Sequence, residues 1–290
     1  MSQAAVTSQK TVRQDNKTVQ MIGKVVLYIV LIGIALFTLI PFVWMLSASL
    51  KLDREVFTYP MKWIPETFHW ENYSLIWTKV PMITYAKNTA IVAICVTFIQ
   101  TLTSSFAAYA FAKLRFKGRD VLFLAYIATI AVPWQAYMLP QFILMRSMGL
   151  YDRLAAIMVL QAFSAFGVFL MRQFYQGIPT ELCEAARIDG LSEYGIWARI
   201  MLPLSTAAIA TLVIFTFVGT WNDYMGPMIY LTRDVNKTIQ VGLRRFIQEN
   251  SSDYHLIMAA SVVSLLPVSV VFLALQKYFI EGIATSGLKG

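Results

Sequence analysis

Apolar positions along the chain gather into six long runs, at about Val25–Ala48, Asn88–Ala112, Val121–Met145, Leu154–Met171, Leu204–Trp221 and His255–Gln276. Each is near the ~17–25 residues a helix needs to cross a hydrocarbon core of ~30 Å. In lipid a spanning segment must satisfy its own backbone groups, which selects helices. The pattern therefore predicts an all-α, polytopic membrane protein with six transmembrane helices. Pro41 in the first run, and Pro133 and Pro140 in the third, predict kinks. Residues 51–84 mix charge with Trp63, Trp70 and Trp77, which suits a membrane–water interface. At ~34 residues this stretch is too short for an independent core.

Composition agrees. The 290 residues are 58% hydrophobic and 14% charged, against about 25% charged in soluble domains. The net charge of +8 does not point to nucleic acid, because the basic residues lie at span ends and in loops. Lys10, Arg13 and Lys17 mark the N-terminal stretch, and Lys113, Arg115, Lys117 and Arg119 follow the second run. These dense clusters place both segments in the cytoplasm, whereas the 24 Lys and Arg taken together divide almost evenly between the two sides. Cys95 lies in a span and Cys183 in a loop, so no structural disulfide is expected. His69 and His255 stand alone, so no metal site is expected.

The polar stretch Pro179–Pro203 reads as two short helices. Thr180 can cap the first, with Glu181 and Glu184 near its positive end. Leu182, Ala185 and Ala186 fall at helical spacing and are expected to form one narrow apolar face. Gly190 supplies a left-handed stop. Ser192 can cap the second helix, which should run through Glu193 and Trp197 until Pro203 breaks or bends it.

Other polar groups lie within the spans: Gln100, Thr101, Thr103, Ser104, Gln135, Gln141, Gln161, Thr211 and Thr216. No Asp, Glu, Lys, Arg or His occupies the middle of a run, which argues against an ion-coupled carrier. Amides and hydroxyls suit a neutral polyhydroxyl solute, and they equally suit hydrogen bonds between helices. Trp221, Asn222 and Asp223 close the fifth run near Pro227, as a gate or as a belt tryptophan with a helix cap. Gln100, Gln135, Gln161, Trp221, Asn222 and Asp223 are the candidate path residues. No phosphate-binding loop G-x-x-x-x-G-K-[ST] and no catalytic Ser-His-Asp or Cys-His arrangement is present.

Glu184-Ala185-Ala186, three residues, Gly190, nine residues and Ile200-Met201-Leu202-Pro203 together resemble the EAA loop of permease subunits in ABC importers. Weaker stretches extend the resemblance to the carbohydrate-uptake branch, the second permease of maltose-type importers. They are Asn72-Tyr73, Asn88-Thr89, the Pro133–Pro140 segment, Trp221-Asn222-Asp223-Tyr224 and Gln276-Lys277-Tyr278-Phe279. The resemblance implies a type I ABC importer permease fold with a cytoplasmic coupling helix between transmembrane helices 4 and 5. It divides the chain into a tail at 1–23, a first helix and extracytoplasmic loop at 24–84, a permease core at 85–276 with the EAA loop at 179–203, and a tail at 277–290.

By the same resemblance the protein is no enzyme and carries no cofactor, ATP being bound by partner chains. The implied partners are a second, different permease subunit, an ATPase dimer and an extracytoplasmic solute-binding protein, in a prokaryotic inner membrane with both termini inside. Glu184, Ala185, Ala186, Asp189, Gly190, Leu202 and Pro203 would couple to the ATPases, and Gly287 and Lys289 would reach between them. A sugar is the implied solute; a polyol or a glycerophosphate is the alternative. Gly282, Gly287 and Gly290 argue that the tail does not hold a helix by itself.

Overall fold

The computed structural model describes residues 17–247 and 253–287, and among these the chain is helical with no β-strand. Its helices are α1 (Lys17–Ser49), α2 (Asp53–Val56), α3 (Asn72–Lys79), α4 (Met82–Lys113), α5 (Arg119–Ala128), α6 (Trp134–Ser147), α7 (Leu154–Leu160) and α8 (Ala165–Gln176). They continue as α9 (Glu181–Ile188), α10 (Glu193–Ile196), α11 (Leu202–Leu204), α12 (Thr206–Trp221), α13 (Met225–Tyr230), α14 (Ile239–Leu243) and α15 (Tyr254–Gly287).

Among the described residues three segments are long and apolar enough to cross a membrane unbroken: Met21–Ser49, Met82–Lys113 and Tyr254–Tyr278. The other three expected spans are bent pairs of helices. Arg119–Ala131 and Trp134–Ser147 meet at 100°, Leu154–Leu160 and Ala165–Gln176 at 45°, and Glu193–Leu204 and Thr206–Trp221 at 83°. The first break follows from Pro133. It holds Val132 extended (φ −82°, ψ 116°) and then starts α6 as its N-cap. Pro41 and Pro140, by contrast, lie inside continuous helices.

α4 is the central post. It packs along α8 and α12, and α12 packs in turn on α15. Small residues make the α4–α8 crossing close, since a Cβ on Gly167 would sit 2.4 Å from Ser104 Oγ. One core cluster, around Tyr85, Ala93, Phe217 and Trp221, joins α4, α12 and α15. A second, around Tyr109, Met171, Tyr175, Cys183, Ala186 and Met201, joins α4 and α8 to the α9 loop. Outside these clusters α1 leaves its apolar side chains exposed from Met21 to Phe42.

Two boundaries differ from the sequence reading. α1 begins at Lys17, within the expected 1–23 tail. α15 does not stop near Gln276 but stays helical to Gly287. Extending an existing helix needs no new nucleus, and a glycine costs it only about 1 kcal/mol, so Gly282 does not end it. Lys289 lies outside the described residues, as do the side chains beyond Tyr278.

Candidate functional site

Two places gather the candidate residues. The first is a cavity of about 490 Å³ where the broken helices meet. Irregular backbone at membrane depth is tolerated where it lines a cavity or is buried in protein. Gln161 is the C-cap of α7, and Ser164 is the N-cap of α8, its Oγ accepting from Gly167 N at 3.0 Å. In the gap the Ala162 carbonyl accepts from Thr103 Oγ1 of α4 at 2.7 Å.

The Gln161 side chain spans the cavity wall, accepting from Thr220 Oγ1 (3.0 Å) and donating to Asp223 Oδ2 (2.8 Å). Asp223 Oδ1 accepts from Gly226 N at 3.1 Å. On the facing wall Gln141 Oε1 accepts from Trp134 Nε1 (3.0 Å) and Tyr230 Oη (3.3 Å). Gln100 lines the same space from α4.

Of the six path candidates, Gln100, Gln161 and Asp223 therefore meet at one cavity. Gln135 is exposed and absent from its wall. Trp221 is buried, stacks on Phe217 and donates Nε1 to the Ser264 carbonyl at 3.0 Å, so it joins α12 to α15. Asn222 accepts from Gln240 at 3.1 Å beyond the cavity. Trp134, Tyr137 and Tyr230 are wall residues that the sequence did not single out. The one available signal was the position of Trp134 directly after the helix-breaking Pro133.

The second place is the α9 loop. Gly190 is left-handed (φ 82°), and Leu191 N donates to Ala186 O at 2.9 Å, a Schellman closure of α9. Ser192 caps α10 through Gly195 N at 3.3 Å. Thr180 does not cap by its side chain. Its own backbone is already helical (φ −71°, ψ −25°), which points the hydroxyl away from the free N–H groups.

The expected single apolar face is in fact two. Cys183 and Ala186 are buried against the chain, whereas Leu182, Ala185 and Ile188 face outward with Glu181 and Glu184, Ile188 being 87% exposed. The second helix survives Pro203. It widens into a π turn at Trp197–Met201 and breaks only at Ser205, whose Oγ donates to Met201 O at 2.8 Å. Leu202 and Pro203 thus stand just before the 83° bend into α12.

Side-chain hydrogen bonds fasten this loop to the bundle. Arg187 Nε donates to Glu193 Oε1 at 2.6 Å across the Gly190 turn. Glu193 also accepts from Tyr109 Oη of α4. Trp197 Nε1 donates to Ser105 Oγ at 2.9 Å, and Ser105 pairs with Tyr175 Oη of α8 at 2.7 Å. Lys113 Nζ donates to the Ile178 carbonyl at 2.5 Å. Asp189, at the C-terminal end of α9, is exposed.

The chain is similar to several known proteins. The sequence profile of the family described as "Binding-protein-dependent transport system inner membrane component" matches residues 100–285. The arabinooligosaccharides transport system permease protein AraQ of Halalkalibacterium halodurans is 32% identical over 260 residues, 89% of this chain and 93% of that protein. The lactose transport system permease protein LacG of Rhizobium radiobacter is 30% identical over 262 residues, 90% of this chain and 95% of that protein. Among solved structures, a chain of a bacterial ABC transporter involved in the import of the acidic polysaccharide alginate superposes with a TM-score of 0.78. That chain is 27% identical, with 89% of this chain and 97% of the other covered.

Proposed function

The chain belongs to the binding-protein-dependent transport system inner membrane components, and from that premise we propose that it is the sugar-path subunit of an ABC importer with six membrane spans. Each bent helix pair then counts as one span. As a permease subunit it is a transport component and not a catalyst. Nucleotide binds to partner ATPase chains and this chain holds no cofactor. A second permease completes the path, and an extracytoplasmic binding protein delivers the solute. Both termini lie in the cytoplasm, and the C-terminal tail, with Gly287 and Lys289, reaches toward the ATPases.

One observation carries the reading. The α9 helix is closed by its own Schellman turn and bolted to α4 and α8, yet it presents Leu182, Ala185 and Ile188 to solvent. An apolar face so firmly held and so openly displayed fits a groove on another chain. α9 is then the coupling helix. Glu184, Asp189 and Gly190 frame it, and Leu202 and Pro203 pass its movement into α12. The cavity of Gln100, Gln161 and Asp223 is part of the solute path.

The test is uptake of labelled neutral oligosaccharides into liposomes holding the assembled complex. Uptake should require ATP and the binding protein, survive an ionophore, and vanish with Gly190→Val, since a β-branched residue at φ 82° is strained by ~1 kcal/mol or more. Uptake abolished by the ionophore and indifferent to ATP would point instead to a secondary carrier.

A further inference from the structure

The similar proteins leave the charge of the solute open. Arabinooligosaccharides and lactose are neutral, whereas alginate is acidic. We infer that Asp223 makes this cavity a charge filter that admits uncharged saccharides and disfavours anionic ones. The inference rests on the reading of the cavity as solute path.

The wall chemistry carries it. Among the described residues lining the cavity there is one carboxylate, Asp223, and no Lys, Arg or His. Asp223 is fixed in place, because Gln161 Nε2 (2.8 Å) and Gly226 N (3.1 Å) hold its two oxygens. Both partners are N–H donors, so both oxygens accept, and these bonds favour the charged form while burial opposes it. Gly226 allows that approach, since a Cβ there would stand 2.6 Å from Asp223 Oδ2.

A uronate or phosphate entering this space would meet a fixed like charge in low-dielectric surroundings, with no cation on the wall to offset it. Gln161 gives one amide N–H to Asp223 and brings no positive charge of its own. A neutral sugar has no such difficulty. Its hydroxyls can pair with the amides of Gln100 and Gln141, and the apolar face of a pyranose can lie on Trp134 or Tyr137.

The experiment reads the field inside the cavity directly. Gly219 lines it, and a Cβ there meets nothing within 4 Å, so Gly219→Cys introduces a thiol without a clash. The full transporter complex, with Cys95 and Cys183 replaced by alanine, is reacted with a cationic and an anionic methanethiosulfonate of similar size. Rates are referred to those of free cysteine.

The parent should favour the cationic reagent by roughly tenfold, as expected for a unit charge nearby at intermediate dielectric. Asp223→Asn should remove most of that bias and Asp223→Glu should keep it. Equal reactivity with both reagents in the parent, or an unchanged ratio in Asp223→Asn, overturns the charge filter and leaves the transport reading standing. If neither reagent reaches Gly219→Cys, the cavity is closed to water and both readings fall.

Discussion

The two ends of α4 are held in different ways. At the Met82 end, side chains grip backbone. Asn88 Nδ2 donates to the carbonyls of Val235 (2.8 Å) and Lys237 (2.9 Å), and Thr89 Oγ1 accepts from Ile239 N at 2.8 Å. Nearby, Asn72 Nδ2 donates to the carbonyls of Ser49 and Lys51, both at 2.9 Å, and so closes the end of α1. Asp152 accepts from the backbone N–H groups of Thr232 (2.8 Å) and Arg233 (3.0 Å) and from the Arg233 guanidinium. At the Lys113 end, by contrast, side chains mainly grip side chains, and they hold the α9 loop from its inner face alone.

The contrast separates two purposes. A buried amide that satisfies loop carbonyls fixes the chain's own course and needs no other molecule. The α9 loop packs its inner face, Cys183 and Ala186, into the core, while Leu182, Ala185 and Ile188 on its outer face are exposed. The Met82 end is thus fixed by bonds within this chain, whereas the α9 loop at the other end keeps an exposed face, which on the proposed reading meets a partner chain.

The widest break in this comparison comes from two adjacent alanines. Ala185→Trp enlarges the outer face, and should leave stability within about 0.5 kcal/mol of the parent while abolishing ATPase co-purification and uptake. Ala186→Trp overpacks the inner face and should cost about 1–3 kcal/mol in unfolding before any question of docking arises. If Ala185→Trp still binds the ATPase and transports, the outer face is not a docking surface.

A smaller effect is expected at the opposite end. Asn88→Ala strands two carbonyls and should cost about 1–3 kcal/mol, read by thermal unfolding in detergent, with ATPase association retained in the molecules that fold. Loss of association without loss of stability would mean that the two ends are not independent.

Smaller still is a pH effect at Asp152. Its burial opposes ionisation, but the Arg233 and Thr232 backbone N–H groups, the Arg233 guanidinium and the Asn236 amide outweigh that and hold its pKa at about 2. A carboxyl depressed from an unfolded value of about 3.9 adds stability above that pH and loses it as pH falls toward 2. An unscreened carboxyl would contribute about 2.6 kcal/mol, and solvent screening brings the contribution below that. Asp152→Asn should therefore be less stable than the parent at pH 6, and the gap should close near pH 2. A gap that is constant with pH would show that the carboxylate charge contributes nothing.

Much of this was legible in the sequence, for reasons specific to each residue. Gly190 and Ser192 announce a turn and a cap through their own backbone preferences, and the structure has both. Asn72 and Asn88 stood out as motif residues, but their work as carbonyl clamps depends on loops about 20 and 150 positions away in sequence, which no local pattern reveals. The split of Ala185 from Ala186 was hidden because i and i+1 point about 100° apart on a helix, and which one faces inward is decided by α4 and α8. Trp221 has the residue type of a gate or a belt, and only the presence of Ser264 beside it turns it into an internal link. Hydropathy marks out the three segments that form bent helix pairs, but it carries no information about the angle at a break.

The docking claim can be measured most directly by cysteine labelling at Ile188→Cys, with Val235→Cys, 63% exposed at the opposite end, as the control. Ile188 is 87% exposed in the lone chain, so a thiol there should react rapidly before assembly. When the ATPase chains are bound, Ile188→Cys should be protected at least tenfold while Val235→Cys reacts as before. Equal labelling of Ile188→Cys in the lone and assembled chain would contradict the account.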